Sequence, residues 1–134
     1  MEYSVAKEKA VKYIGISKKT TSEVIKKLKS LGVDSLTIPK IILDISALGY
    51  LDDKQYAKLY IRQNENMKKY SIYEIEQKLL QKGIKRCIIE EEIQDIKSSD
   101  YEESIVEHLL ESKLKNYDDM KAANYIFRRG FKKI

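Results

Sequence analysis

One histidine, His108, and one cysteine, Cys87, limit what this chain can do by covalent or metal chemistry. A Ser–His–acid or Cys–His relay needs a histidine oriented by partners, and a structural metal site needs several ligands at set spacing; neither pattern surrounds these two residues. Both read as part-buried positions on helices. The five glycines stand apart and form no loop that could cradle a phosphate. Asp52 and Asp53 are adjacent carboxylates without further ligands nearby, so they read as a helix N-cap and a first-turn acid favoured by the helix dipole. The chain therefore reads as a non-enzyme that uses no cofactor and no metal.

The chemistry left to it is that of cations. Lys26 and Lys27 form one group, Lys78, Lys82 and Arg86 a second, and Arg128 and Arg129 a third, while Arg62 stands alone. Ammonium and guanidinium groups bind phosphates and carboxylates. The formal charge is +5, and residues 1–49 carry most of the excess, with nine Lys/Arg against five Asp/Glu. Such a modest balance suits a mixed partner showing both phosphate and basic protein surface. Lysines that merely solvate helix faces would give the same composition, but that account does not explain cations recurring at one place in successive units. Arg62 has two readings, a pair with Glu65 at i+3 or a reach toward a phosphate or acidic partner. Arg128 and Arg129 precede Gly130, where cations favour a helix C-terminus, so at least one is expected to help cap it, with Phe131 as an apolar anchor.

An eleven-residue pattern must position these groups. It runs from Glu23 to Val33, again from Glu74 to Ile84, and in weaker form from Lys121 to Phe131. The two intervals are 51 and 47 residues, at the upper end of the roughly 20–50 expected of helical arrays. Thr20 with Glu23, Asp52 with Gln55, and Ser71 with Glu74 have the spacing of capping boxes. Gly32, Gly49, Gly83 and Gly130 follow apolar-periodic stretches and mark helix ends. The periodicity predicts eight helices, over about 3–14, 21–31, 39–48, 53–69, 72–82, 85–97, 100–114 and 119–129. The fold class is all-α: tandem three-helix repeats over about 1–50, 51–98 and 99–134, forming an elongated, curved array whose last repeat is incomplete. No apolar run reaches the roughly 20 residues needed to span a bilayer, and Met1-Glu2-Tyr3-Ser4 does not open a secretory signal. A cytoplasmic monomer is the expectation.

Three features together resemble the RecX family: the repeated E-[VI]-x-x-[KQ]-L-x-x-x-G-[VI] pattern, the Gly49-Tyr50-Leu51-Asp52-Asp53 segment leading to Tyr56, Tyr60 and Arg62, and the closing Arg128-Arg129-Gly130-Phe131. The resemblance covers nearly the whole chain from about residue 6. It implies an all-α regulator that lies in the groove of the RecA recombinase–DNA filament and lowers its ATPase and strand-exchange activities. It also implies a role in recombination, DNA repair and the SOS response. Many members carry sequence before the first repeat and a helix after the last. The partners expected on this basis are the RecA filament and single-stranded DNA. Candidate contact residues are Lys26, Lys27, Arg62, Lys78, Lys82, Arg86, Arg128 and Arg129. A nonspecific DNA-binding module and a helical scaffold without a nucleic-acid role remain the alternatives.

Overall fold

In the computed structural model, which describes residues 1–132, every regular element is helical. Repeat one holds α1 (Tyr3–Ile16), α2 (Thr21–Ser30) and α3 (Ile38–Ala47). Repeat two holds α4 (Asp53–Met67), α5 (Ile72–Gln81), α6 (Arg86–Glu92) and the short α7 (Gln94–Lys97). Repeat three holds α8 (Tyr101–Glu111) and α9 (Asp119–Arg128). Both middle-helix capping boxes form in full, Thr20 with Glu23 and Ser71 with Glu74. Asp52 accepts from the Gln55 amide at 3.1 Å, an N-cap without the reciprocal bond. The four glycine stops fall where the spacing places them, each with positive φ.

Two predicted helices differ. The single helix expected over 85–97 is broken at Ile93, which ends α6 and begins α7. There the Gln94 side chain donates to the Glu90 carbonyl at 2.7 Å, taking an acceptor that a continuous helix gives to a backbone amide. The helix expected to reach 114 stops at Glu111. Ser112 donates from its hydroxyl to the His108 carbonyl, and the Leu114 amide turns back to Leu109 at 2.8 Å, which buries Leu114. Cys87 and His108, expected part-buried, are exposed, because the apolar positions of α6 and α8 that face the core are Ile89 on one and Ile105 and Val106 on the other.

The buried side chains form two separate clusters. One belongs to repeat one and is built on Val24, Leu28, Ile41 and Ile45. The other unites repeats two and three through Ile75, Leu79, Ile93, Ile126 and Phe131. At both boundaries the repeats are also joined by a set of polar bonds made twice. The Thr20 hydroxyl donates to the Lys82 carbonyl at 2.6 Å, and the Ser71 hydroxyl donates to the Arg129 carbonyl at 2.7 Å. Each bond runs from the N-cap of one middle helix to the C-cap of the next, satisfying two helix termini at once. Beside it, the Thr21 amide donates to Asp53 at 2.9 Å and the Ile72 amide to Glu102 at 3.3 Å. Asp53 and Glu102 are thus acids that the following repeat offers to the preceding one. Thr20 is fully buried, so its loss removes both a cap and a buried partner, at about 2–4 kcal/mol.

Candidate nucleic-acid interface

The joint between repeats one and two brings the start of α2 against the end of α5, and with them their lysines. Lys26 and Lys27 from α2, Lys78 from α5 and Lys82 at its C-cap line one open cleft of about 700 Å³. Tyr13 and Tyr60 complete the walls, and Glu23 is the acid among them. The Lys27 ammonium lies 5.4 Å from the centre of the Tyr13 ring, shared with Lys19 at 4.7 Å. Lys82 lies 5.7 Å from Tyr60 and 5.9 Å from Tyr56. Partial burial works against the Lys82 charge, but the Tyr56 hydroxyl and Glu23 outweigh it and hold the pKa above the usual lysine value. Lys82 therefore keeps its charge at neutral pH. Four like charges around one open cleft, with a single acid among them, favour an anion.

The other candidates fall elsewhere. Arg62 is exposed on α4 outside the cleft and, among the described residues, pairs with no carboxylate, Glu65 included. Arg86 is exposed at the start of α6. Arg128 is exposed beside Phe127 and Phe131, on a different groove. Arg129 is half-buried and engaged by its own chain. Its guanidinium meets Glu74 at 2.9 Å, donates to the Lys69 carbonyl at 2.7 Å and covers the Phe131 ring at 5.3 Å. Burial works against its charge, but Glu74 and Tyr125 more than compensate, so its pKa is raised. Arg129 occupies in repeat three the place that Lys82 has in repeat two. The run Glu90-Glu91-Glu92 is no free acidic face either, since Lys54 meets Glu91 at 2.9 Å and both Lys54 and Lys58 lie within 4.0 Å of Glu92.

Residues 52–92 match the family description "RecX, second three-helix domain". Those are α4, α5 and α6, the half of the cleft that carries Lys78 and Lys82. The chain is also similar to regulatory protein RecX of Streptococcus agalactiae serotype III, at 40% identity over 108 residues, covering 81% of this chain and 42% of that protein. To regulatory protein RecX of Clostridium tetani it is 32% identical over 137 residues, covering 96% of this chain and 62% of that one. The crystal structure of RecX from Lactobacillus salivarius superposes with a TM-score of 0.83 at 25% identity, covering 97% of this chain and 88% of that one. The chain belongs to the RecX family. A second RecX crystal structure, at 21% identity and a TM-score of 0.88, shares the fold. The chain spans about two fifths of the length of the streptococcal RecX proteins it matches and about three fifths of the clostridial one.

Within this RecX array, sequence reading located the lysines but missed the tyrosines that border them. The available signal was the coincidence of ten tyrosines with the lysine clusters. Lys27 and Lys78, which occupy equivalent places in repeats one and two, each lie over a tyrosine, Tyr13 and Tyr70. No helix among the described residues is long and apolar enough to cross a membrane.

Proposed function

We propose that this protein binds a RecA recombinase filament and restrains it, with the cleft between repeats one and two taking phosphates of the filament's DNA. The observation that carries this reading is the convergence of Lys26, Lys27, Lys78 and Lys82, from two repeats, on one open cleft. The kinship with proteins named regulatory protein RecX supports the regulatory part. Inhibition of ATPase and of strand exchange follows as the expected outcome of occupying the filament. The reading asks only for a monomer, and places its work in the cytoplasm, where recombination and repair of bacterial DNA occur. Arg62, Arg86 and Arg128, exposed outside the cleft, are the groups free to meet acidic surface of the recombinase.

The deciding experiment is DNA-dependent ATP hydrolysis by RecA, with this protein added after filaments have formed on single-stranded DNA. Inhibition at concentrations well below those that coat bare DNA is expected, with loss of the effect on charge reversal at Lys27 and Lys78. The cleft also favours a second reading, a nonspecific DNA-binding module. That module would bind naked DNA tightly, with a steep loss on added salt, and would leave hydrolysis untouched until the DNA itself is coated.

A further inference from the structure

Three of the four cleft lysines are held over aromatic rings: Lys27 over Tyr13, Lys82 over Tyr60 and Tyr56, and Lys78 over Tyr70. A second ammonium, that of Lys19, also lies over Tyr13. Lys19 lines, with Lys18 and Tyr56, a smaller hollow of about 160 Å³. Tyr56 and Tyr60 lie in offset, near-parallel contact, with centroids 6.3 Å apart and planes 11° from parallel. The rings that border the cleft are therefore already engaged, by cations or by each other.

Tyrosines beside lysines in a nucleic-acid cleft ordinarily suggest base stacking. Here a base reaching Tyr13 would have to displace two ammonium groups from the ring, and those same ammonium groups are the ones that attract the strand's phosphates. The two modes compete. A lysine is costly to fix because its long stem has many rotamers, and an ammonium already resting on a ring has given up part of that freedom before any ligand arrives. The recurrence of the arrangement favours this role: Lys121 lies over Tyr117 in repeat three, at 4.4 Å, whereas Lys113 donates to the Tyr125 hydroxyl at 2.7 Å.

We infer that Tyr13, Tyr56, Tyr60 and Tyr70 are positioning residues that hold lysines ready, and that the cleft grips a chain of phosphodiesters while leaving the bases unread. This rests on the proposed phosphate-binding role of the cleft and specifies its ligand as the backbone of the strand. It requires that binding be indifferent to base identity and even to the presence of bases.

The test compares two fluorescent strands of equal length, oligo-dT and an abasic phosphodiester, by anisotropy at low salt with the full chain. Affinities within about twofold of each other are expected. Tyr13→Leu and Tyr60→Leu should weaken both strands alike, by about threefold to tenfold, with Tyr13→Phe and Tyr60→Phe restoring them, because at these two positions the cation lies over the ring, whereas Tyr56 also engages Lys82 through its hydroxyl. Circular dichroism reports whether the leucine variants keep their helices. In NMR spectra, the Lys27 ε-methylene protons should move out of the ring-current shift of Tyr13 in Tyr13→Leu. Tenfold weaker binding of the abasic strand, or a Tyr13→Leu loss confined to oligo-dT, overturns the inference and leaves the filament reading standing. Binding of neither strand also overturns it, while the ATPase experiment continues to decide the regulatory role.

Discussion

Gly83 lies directly against Ser22, so that a Cβ added to Gly83 would overlap the serine side chain. The contact is part of the joint between repeats one and two, beside the bond from Thr20 to the Lys82 carbonyl. Gly32, the equivalent residue at the end of α2, has positive φ but open space around it. The two glycines separate the cost of a left-handed backbone from the cost of a steric block. Gly32→Ala should lose about 1–2 kcal/mol for the backbone alone. Gly83→Ala should lose clearly more, because either Ser22 or the whole of repeat one must shift. Urea denaturation of both variants reads the difference, and equal losses would show that the joint is loose.

Arg128 and Arg129 are neighbours with opposite expectations. Arg129→Ala breaks the pair with Glu74, the bond to the Lys69 carbonyl and the cover over Phe131. Its side chain and that of Glu74 are about a quarter exposed, so solvent screens the pair in part. A loss of about 1–3 kcal/mol is expected. Arg128→Ala should leave stability within about 0.5 kcal/mol, as at most exposed sites. Thermal melts of the two variants check this, and it would fail if Arg128→Ala were the more damaging.

Two glutamates of the second joint should pull stability in opposite directions with pH. For Glu74, burial works against ionisation, but Arg129 and the Ser71 amide outweigh it, and the pKa is lowered. Its contribution is complete above the unfolded-state value of about 4.3 and disappears as pH falls through the lower folded value. For Glu102, burial raises the pKa, although the Ile72 and Lys132 amides donate to it. Between the unfolded-state value and the raised folded value the native state holds a proton that the unfolded state has released, so stability is lost as pH rises through the folded value. The Tm of Glu102→Gln relative to the unaltered protein should therefore be higher at pH 7 and converge as pH drops toward about 4.3. A difference independent of pH would assign Glu102 a role other than this one.

Charge removal in the cleft should act on binding without acting on folding. Lys27→Gln and Lys78→Gln leave the joint bonds in place, because those use backbone carbonyls, hydroxyls and acids. Each should lower the slope of log affinity against log salt by about one, the signature of one lost phosphate contact. Unchanged slopes would place the strand elsewhere, and Arg62 would be the next residue to replace.

The helix starts of α2 and α5 were legible in the sequence because a capping box is local: Thr20 and Glu23, or Ser71 and Glu74, lie three residues apart. The joints were not, because Thr20 and Lys82 are 62 residues apart and Ser71 and Arg129 are 58 apart. A serine or threonine that caps its own helix gives no sign that its hydroxyl proton serves another. For the same reason Arg129 looked like Arg128: nothing in a run of two arginines says which will turn inward to a glutamate 55 residues earlier. The Asp118 cap of α9 was missed because Lys121, not an acid, stands at the third position, so the pattern had only its accepting half. The lysines of the cleft were found by register alone, since Lys27 and Lys78 hold the same place in successive units. Their tyrosines lie outside the repeated motif, on α1 and in the turn before α5.

Repeat one shares its buried apolar side chains with repeat two only through Leu51 at their boundary, while repeats two and three share one cluster. Apolar packing is what makes neighbouring segments open together, and hydrogen bonds at a partly wetted joint do so weakly. The chain should therefore behave as two cooperative units of unequal size. Amides of α1–α3 would exchange with solvent deuterium through their own opening, with a free energy below that of the block formed by α4–α9. A strand gripped by lysines from both units would tie those two openings together, so that bound DNA slows exchange most in the repeat that contributes Lys26 and Lys27.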